Sequence, residues 1–501
     1  MNKHLDTSNP NHLVFEQGNL RTEVMGGVRL DRLDILRLTL KVVNIQKDKA
    51  IRQNLDLYHA SQVSKFIRKA TEHISSGLET MTDHIESLTA EIEDYRLRYF
   101  QGETEKVIPT LSPKEKQEAL RYLRAKDLNY RTQADIGASG IIGEEINRML
   151  LFYIYCSRKM STPLHGFTLS PSGTGKTHLL NQVAMLIPSH ERIHLTDISE
   201  KALYYLKEDE LQHKLLVIED LEGAMSAMYP IRELQSKKEI SRLVTMPNEH
   251  GQRTTIKQRI VGPVCIAGAT TMDELYEDSA NRSFLLYLDQ STEQTNRILE
   301  YQRKLFSGAI DSYKQEKVRA KLQNVQMMLE PVSVINPYAE KLHIPKHILK
   351  PRRTNAHYLN FINAVCFYHQ HQREQTIDER TGEVYIKVAK EDIAIANELL
   401  KEVLLSKSDK LSGGARAFYQ KLTSYTDIKQ DSHFTAKELR IHMDVPHSSL
   451  FRYLTQLEAL GKIEIISEEK WQGYSYKLIA DDFENLKQQH EQHFETILST
   501  L

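Results

Sequence analysis

The stretch GFTLSPSGTGKTHLL, residues 166–180, holds the side chains whose types and order point most directly to chemistry. An apolar strand, Phe167–Leu169, leads into a glycine-rich turn and then a helix. Backbone N–H groups of Ser172, Gly173, Thr174, Gly175, Lys176 and Thr177 can wrap a polyphosphate there, because a helix start offers unpaired donors and a favourable dipole. Lys176 would reach the β- and γ-phosphates, Thr177 would place its hydroxyl on Mg2+, and His178 follows in the same turn. The full pattern has glycine at the loop's first position, where this chain has Ser170. Further on, LLVIEDLEG (215–223) is a buried strand ending in acids. In such a site one carboxylate, here Glu219, holds Mg2+, and the next, Asp220, polarises the attacking water. The usual order is Asp then Glu, so the shorter Asp220 predicts slow hydrolysis or help from Glu222. A third strand, VCIAGATT (264–271), ends in Thr270 and Thr271 and brings a polar tip beside the acids. The expected ligands are ATP and Mg2+.

Residues 161–300 alternate short apolar runs with helical stretches, the rhythm of a parallel βαβ sheet. Between the acids and Thr270, PIRELQSKKEISRLV (230–244) reads as a helix, and TMPNEHGQRTTIKQRIVGP (245–263) as a β-hairpin turning near Asn248–Gln252. From Ser236 to Pro263 there are six Lys/Arg and two Glu, a local excess of +4. His250 and Arg253 flank the turn and Lys257 follows, a set suited to nucleic-acid phosphates; an ordinary solvated excursion is the alternative. EDSANRSFLLYLD (277–289) places Arg282 just before another apolar strand, and KPRRTNAHYLNFINAV (350–365) opens a helix with Arg352 and Arg353.

This order of parts resembles the AAA+ superfamily, and its helicase branch in particular, where a hairpin precedes the sensor-1 strand. The resemblance implies sensor 1 at Thr270, an arginine finger at Arg282 that reaches a neighbouring subunit's γ-phosphate, and sensor 2 near Arg353. It also implies a ring, expected to be a hexamer, with single-stranded DNA in its pore. The phrases LVFEQGNLR, IRQNLDLYH, PIRELQSKKEIS, YEDSANRSFLLYLD and RRTNAHYLNF are similar to the ATPase portion that accompanies CHC-zinc-type DNA primases of bacterial mobile elements. A primase would then be a partner. The chain departs from that family in having three scattered cysteines, Cys156, Cys265 and Cys366, too few for its zinc ribbon, and no clear acidic primase core.

Residues 432–480 fit a winged helix. FTAKELRIHM and SSLFRYLTQLEALG read as its helices, and KIEIIS and YSYKLI as the wing. Ser448, Ser449, Arg452 and Gln456 lie on the polar side of the second helix, with Phe451, Leu454, Leu457 and Leu460 toward the core. A duplex reader places such a helix in the major groove, yet six Lys/Arg balance six Asp/Glu here, so DNA contact and protein docking both stand.

The fold class expected is α/β: an AAA+ P-loop core with a helical lid, an N-terminal α+β and coiled domain, and a C-terminal winged helix-turn-helix. The domains expected are 1–105, strands plus coiled-coil-like helices; 106–160, linker and helix; 161–300, core; 301–407, lid; 408–431, linker; 432–480, winged helix; and 481–501, a polar helical tail. Strands are expected at His12–Glu16, Leu20–Met25 and Ile35–Val43. An a/d seam from Ile74 through Met81, Ile85, Leu88 and Ile92 to Tyr99 is expected to bury itself in a helical hairpin with residues 57–73, or else in a partner. Cys366, His369 and His371 read as a core thiol and exposed histidines rather than a metal site.

The chain has 501 residues, on the scale of roughly three or four domains. Its 66 Lys+Arg and 67 Asp+Glu leave a net charge of −1, which argues against a protein coated with nucleic-acid-binding charge. No run is long enough for a membrane span and the start lacks an apolar secretory segment, so a cytoplasmic protein is expected. The function expected is an ATP-driven ring motor on DNA. A nucleotide-switched initiator or helicase loader, and an AAA+ protein remodeller, are the alternatives.

Overall fold

The computed structural model describes residues 4–7, 12–28, 35–47, 49–101, 110–170, 173–247, 253–271, 281–346, 348, 350–406, 411, 413–443, 445, 447–469, 473–479 and 483–501. The chain divides into two compact units, Met1–Pro109 and Thr110–Leu501.

The first unit is a meander of five antiparallel strands, β1 (His4–Asp6), β2 (His12–Gln17), β3 (Leu20–Met25), β4 (Arg37–Asn44) and β5 (Lys49–Asp56), paired in chain order. Leu13 and Phe15, then Leu20 and Val24, then Leu38, Leu40 and Val42 alternate with exposed or half-buried neighbours, so one face is apolar. Two helices cover that face, α1 (Ala60–Ile74) and α2 (Leu78–Gln101). The seam residues Met81, Ile85, Leu88 and Ile92 are buried with Phe66, Ile67 and Ala70 of α1 and the strand residues in one core. The seam is therefore filled from within its own unit. It is also broken: Ser75 is left-handed (φ 53°) and ends α1 after Ile74, while Leu78 is exposed. Strand β5 was not anticipated.

Inside this core, the Thr22 hydroxyl and His84 Nε2 hydrogen-bond at 2.7 Å, with the His84 ring 5.1 Å from that of Phe15. Burial holds the His84 pKa down to about 4, from an ordinary value of 6.5.

In the second unit, α3 (Pro113–Leu123), α4 (Leu128–Ala138) and α5 (Glu145–Cys156) precede a five-stranded sheet. Its strands are β6 (Gly166–Leu169), β7 (Arg192–Leu195), β8 (Lys214–Ile218), β11 (Val264–Thr270) and β12 (Phe284–Tyr287), all parallel, in the spatial order β12-β6-β11-β8-β7. Between them come α6 (Lys176–Ala184), α7 (Met228–Lys237) and the hairpin β9 (Glu239–Pro247) with β10 (Arg253–Val261). Both faces are buried. Leu215, Val217, Cys265 and Ala267 pack with α5 and α6, while Leu216, Ile218, Val264 and Ile266 pack with α7 and the hairpin base. This is why the strands read as unbroken apolar runs.

Beyond the sheet lie α8 (Thr292–Phe306), α9 (Ser312–Met327), α10 (Pro351–Tyr368) and α11 (Lys390–Ser406), with a small sheet of β13 (Ser333–Ile335), β14 (Thr376–Ile377) and β15 (Val384–Lys387). Helix α9 is fastened to the core. Arg158, fully buried, donates to Gln326 Oε1 of α9 at 2.7 Å and is ion-paired with Glu191. Lys159 pairs with Glu191 at 2.9 Å and donates to the backbone carbonyls of Gln326 and Leu329. Cys366 is buried, His369 bonds to the Val365 carbonyl at 2.8 Å, and His371 to the Met328 carbonyl at 2.9 Å. His369 is itself buried rather than exposed.

The C-terminal part contains α12 (Gly413–Lys429), β16 (His433–Thr435), α13 (Ala436–His442), α14 (His447–Ala459), β17 (Ile463–Glu469), β18 (Gly473–Leu478) and α15 (Phe483–Thr500). The strands form one antiparallel sheet, β16-β18-β17, and share a core with Phe418, Leu422, Leu450, Leu454 and Leu457. Phe451 corrects an expectation: it is 41% exposed and lies against His447, with Leu450 and Tyr453 buried in its stead. The terminal helix is not a free polar tail either. Its Phe494 and Ile497 are buried in the main core, and Phe494 packs on Tyr358 of α10. Among the described residues no helix is long and apolar enough to cross a membrane.

His84 yields a pH prediction. Between its folded pKa and its unfolded value the folded unit binds fewer protons than the unfolded chain, so stability is lost as pH falls. From pH 7 to pH 5 the first unit should lose about 2 kcal/mol, read as faster amide exchange in β3 and α2. The double variant Thr22→Val/His84→Leu should flatten that slope.

Candidate functional site

Parallel pairing aligns the carboxyl ends of β6, β11 and β8, with Gly268 of β11 opposite Phe167 on one side and Ile218 on the other. The loop after β6 therefore faces the residues that follow β8 and β11. Gly173 (φ 83°) and Gly175 (φ 90°) are both left-handed, a conformation that costs a side-chain-bearing residue about 1 kcal/mol or more, and Gly175 directly precedes α6. Ser170, where glycine was expected, is buried, and its hydroxyl accepts a hydrogen bond from Leu288 N at 3.3 Å. The substitution thus joins the start of the loop to the end of β12. Ser172 lies outside the described residues.

Lys176 opens α6 and is 7% exposed. Burial lowers its pKa, opposed by the carboxylates of Glu222 and then Asp220. Glu219 turns toward α6 and accepts from Asn181 Nδ2 at 2.7 Å. Asn181 is one helical turn beyond Thr177, so carboxylate and hydroxyl lie along the same side of α6. These are oxygen donors, the kind Mg2+ takes alongside phosphate oxygens. Among the described residues no group of three or more His, Cys, Asp or Glu could hold a metal by itself.

Glu222 is exposed and meets the end of β11. Its Oε1 accepts from Thr271 N at 3.0 Å and Thr270 Oγ1 at 3.3 Å, and also meets the Thr271 hydroxyl. The Thr271 hydroxyl above all holds its carboxyl below the ordinary range. Asp220, by contrast, accepts from Glu222 N at 2.9 Å and shapes the turn. Sequence reasoning named Asp220 first; the strand-end threonines converge on Glu222.

The other expected residues fall at several places. His178 is exposed as a residue, yet partial desolvation of its ring, followed by the charge of Arg319, lowers its pKa. Arg319 of α9, which sequence reasoning missed, donates to Gln182 of α6 at 2.9 Å and to the Ser139 carbonyl at 2.9 Å. Arg282 donates from Nε to Ser236 Oγ at 2.8 Å and precedes Phe284, which pairs with Gly166 at the end of the sheet opposite the loop. Arg353 is exposed on the first turn of α10; one turn on, His357 packs 5.1 Å from Phe284 at that same opposite end.

In the hairpin, all nine residues of β10 pair with β9, Arg253 opposite Pro247 and Lys257 opposite Leu243. Several cations at or just before its base have partners within the chain. Arg259 pairs with Glu239 at 2.5 Å and Glu208 at 2.9 Å, Lys237 pairs with Glu233 at 2.5 Å, and Arg242 donates to Gln258 at 2.8 Å. Lys257 is exposed. His250 lies outside the described residues, as do the side chains of Arg253 and Ser448; Arg452 is exposed on α14.

A protein-family profile described as the MTBMA_p00010 P-loop domain matches residues 113–327. The chain carries a P-loop domain. That span runs from α3 through α9, so the helices before the sheet and the clamped α9 belong to the matched region. Among solved structures, the full-length MCM homolog from Methanopyrus kandleri is similar at 14% identity, over 81% of this chain and 76% of that one, with a TM-score of 0.38. No curated protein matches.

A Cβ on Gly268 would come within 2.7 Å of Leu221 and 3.1 Å of the Ile218 carbonyl. Gly268→Ala should therefore push Leu221, and with it the turn carrying Asp220 and Glu222. We expect a loss of about 1–3 kcal/mol in thermal unfolding together with a fall in nucleotide turnover.

Proposed function

We propose that this chain is an AAA+-type ATPase that hydrolyses ATP at the edge shared by β6, β8 and β11 and works as a homo-oligomeric ring on DNA. The observation that carries the reading is the convergence of Lys176, Glu219, Glu222 and Thr270 from three chain segments on one sheet edge. Gly173–Thr177 bind the polyphosphate through backbone N–H groups, and Lys176 places its charge on the β- and γ-phosphates. Thr177 and Glu219 would hold Mg2+, which when bound neutralises charge on the phosphate oxygens. Glu222, aimed by Thr270 and Thr271, orients the attacking water. The water oxygen bonds to the γ-phosphorus as the bond to the β,γ-bridging oxygen breaks, giving ADP, phosphate and a proton. Arg282, at the far end of the sheet from its own loop, is offered to a neighbouring chain's γ-phosphate, which makes a ring (a hexamer in the family it resembles) the working state.

The hairpin supplies the DNA contact, with Lys257 exposed on it and, unlike the exposed Arg259, in no ion pair among the described residues. Residues 432–480 serve as a winged helix, with α14 and Arg452 offered to duplex DNA. A role beside a primase in replication of a mobile element rests on the sequence resemblance alone. The pairing of Arg259 and Lys237 within the chain favours one second reading, a nucleotide-switched initiator or loader that grips DNA weakly.

Phosphate release from ATP tests the assignment. Lys176→Ala should abolish turnover; wild-type rates in that variant would sink the reading. Glu222→Gln should cut turnover about 10²–10⁴-fold while ATP still binds, as expected for loss of a group that handles the attacking water, and Asp220→Asn should cost less. Single-stranded DNA should raise turnover several-fold in the wild type and not in Lys257→Ala. Strand displacement by the wild type separates motor from loader.

A further inference from the structure

The first acid after β8 meets a side chain that the phosphate-loop pattern does not itself call for. Along β8 the pleat sends Leu215 and Val217 into the core shared with α5 and α6, and Leu216 and Ile218 into the core shared with α7. Glu219 continues that alternation onto the α6 side. Its backbone N–H still donates to Leu195 O at 2.9 Å, so strand geometry persists through it. This alternation turns Glu219, rather than Asp220, toward the helix that follows the phosphate loop. A glutamate has one more torsion than the aspartate usual at this place, and that torsion must be frozen before the carboxylate is held where it is needed. On α6, Asn181 Nδ2 donates to Glu219 Oε1 at 2.7 Å. The other atom of the amide, Oδ1, is buried with no hydrogen-bond partner among the described residues. The amide is committed to the carboxylate. An apolar residue, or a better helix former, would fill this turn at lower cost, so packing does not account for asparagine here. The next residue, Gln182, accepts from Arg319 of α9 at 2.9 Å, which steadies the same turn of α6 from another side.

We propose that Asn181 is a positioning residue for the Mg2+ carboxylate, holding the longer arm of Glu219 where a shorter aspartate would stand unaided. The inference rests on the ATP and Mg2+ reading above and deepens it by separating two tasks. Thr177 and Glu219 supply oxygens to the metal, while Asn181 touches neither metal nor nucleotide and acts through Glu219. Residues that orient a metal's carboxylate ligand govern how tightly the metal is held. The helix makes the arrangement possible. Thr177 and Asn181 are four residues apart and so lie one above the other on α6, with Asn181 fixing the acid beside the hydroxyl. The same tie joins the phosphate-loop helix to the end of β8, so that loop and acid keep one spacing. The reversed order of the acids, Glu219 before Asp220, is thereby compensated from α6 rather than from the strand that carries them.

The test follows a fluorescent ADP analogue, which needs no turnover, binding to the full-length chain in EDTA and then in rising Mg2+. In the wild type Mg2+ should tighten binding. Asn181→Ala should leave the metal-free affinity unchanged and raise the Mg2+ concentration at the midpoint of that gain about 10-fold or more. Glu219→Ala should raise the midpoint at least as far. The double variant Asn181→Ala/Glu219→Ala should go no further than Glu219→Ala, because the amide acts through the carboxylate. In a Glu219→Asp background, with one torsion fewer to hold, Asn181→Ala should cost less. Wild-type Mg2+ dependence in Asn181→Ala, or losses that add in the double variant, would overturn the inference and leave Glu219 on the metal. Equal weakening with and without Mg2+ would overturn it in favour of a purely structural tie between α6 and β8. Absence of any Mg2+ effect in the wild type would overturn the metal assignment of Glu219 as well.

Discussion

The site depends on one constraint, the parallel register that sets β11 between β6 and β8. Three segments far apart in the chain end on the same edge only because Gly268 pairs across to Phe167 on one side and Ile218 on the other. A slip of one residue would turn Thr270 to the opposite face of the sheet. The hydrogen bond from Leu221 N to Ala269 O extends the constraint past the end of β8, so the turn bearing Asp220 and Glu222 is tied to the strand bearing the threonines. Burial of both sheet faces makes that register costly to change. Lys176 can then stay largely buried, because the carboxylates that balance it are fixed opposite.

Charge in this chain is informative only once its partners are known. Counted along the sequence, the hairpin segment carries an excess of four positive charges. In space, Arg259 sits between Glu239 and Glu208, Lys237 beside Glu233, and Arg242 on tyrosine rings. The segment is anchored by cations near its base, and among the described residues Lys257 is exposed further out.

Much of the site was legible where the backbone itself does the work. The glycines, Lys176, Thr177 and the apolar strands declare themselves because left-handed turns and two-sided burial permit few residue types. What stayed hidden depended on tertiary contact. Glu222 read as a minor helper, since nothing in the order of letters shows that Thr270 and Thr271 point at it rather than at Asp220. Asn181, four residues after Thr177, was recoverable from helical spacing; Arg319 comes from a helix far along the chain and carried no signal. In the first unit, Ile51 and Leu55 of β5 are four apart, a spacing strand and helix share. The break at Ser75 was masked because Ile74 and Leu78 continue the seam's spacing across a left-handed residue. The last helix looked polar because its apolar anchors, Phe494 and Ile497, are few.

The buried Arg158 sets a mechanical boundary. Extracting a charge so enclosed from Glu191 and Gln326 would leave it unpaired in a low-dielectric interior, at a cost of about 3–5 kcal/mol. Helix α9 is thus welded to the sheet through residues on its far side from the phosphate loop, while Arg319 touches α6 nearer the loop. The segment expected to be a helical lid is held, at this helix, to the residues that precede the sheet. Any movement of the later helices against the sheet would pivot in the chain beyond Leu329, with α9 kept as the fixed arm.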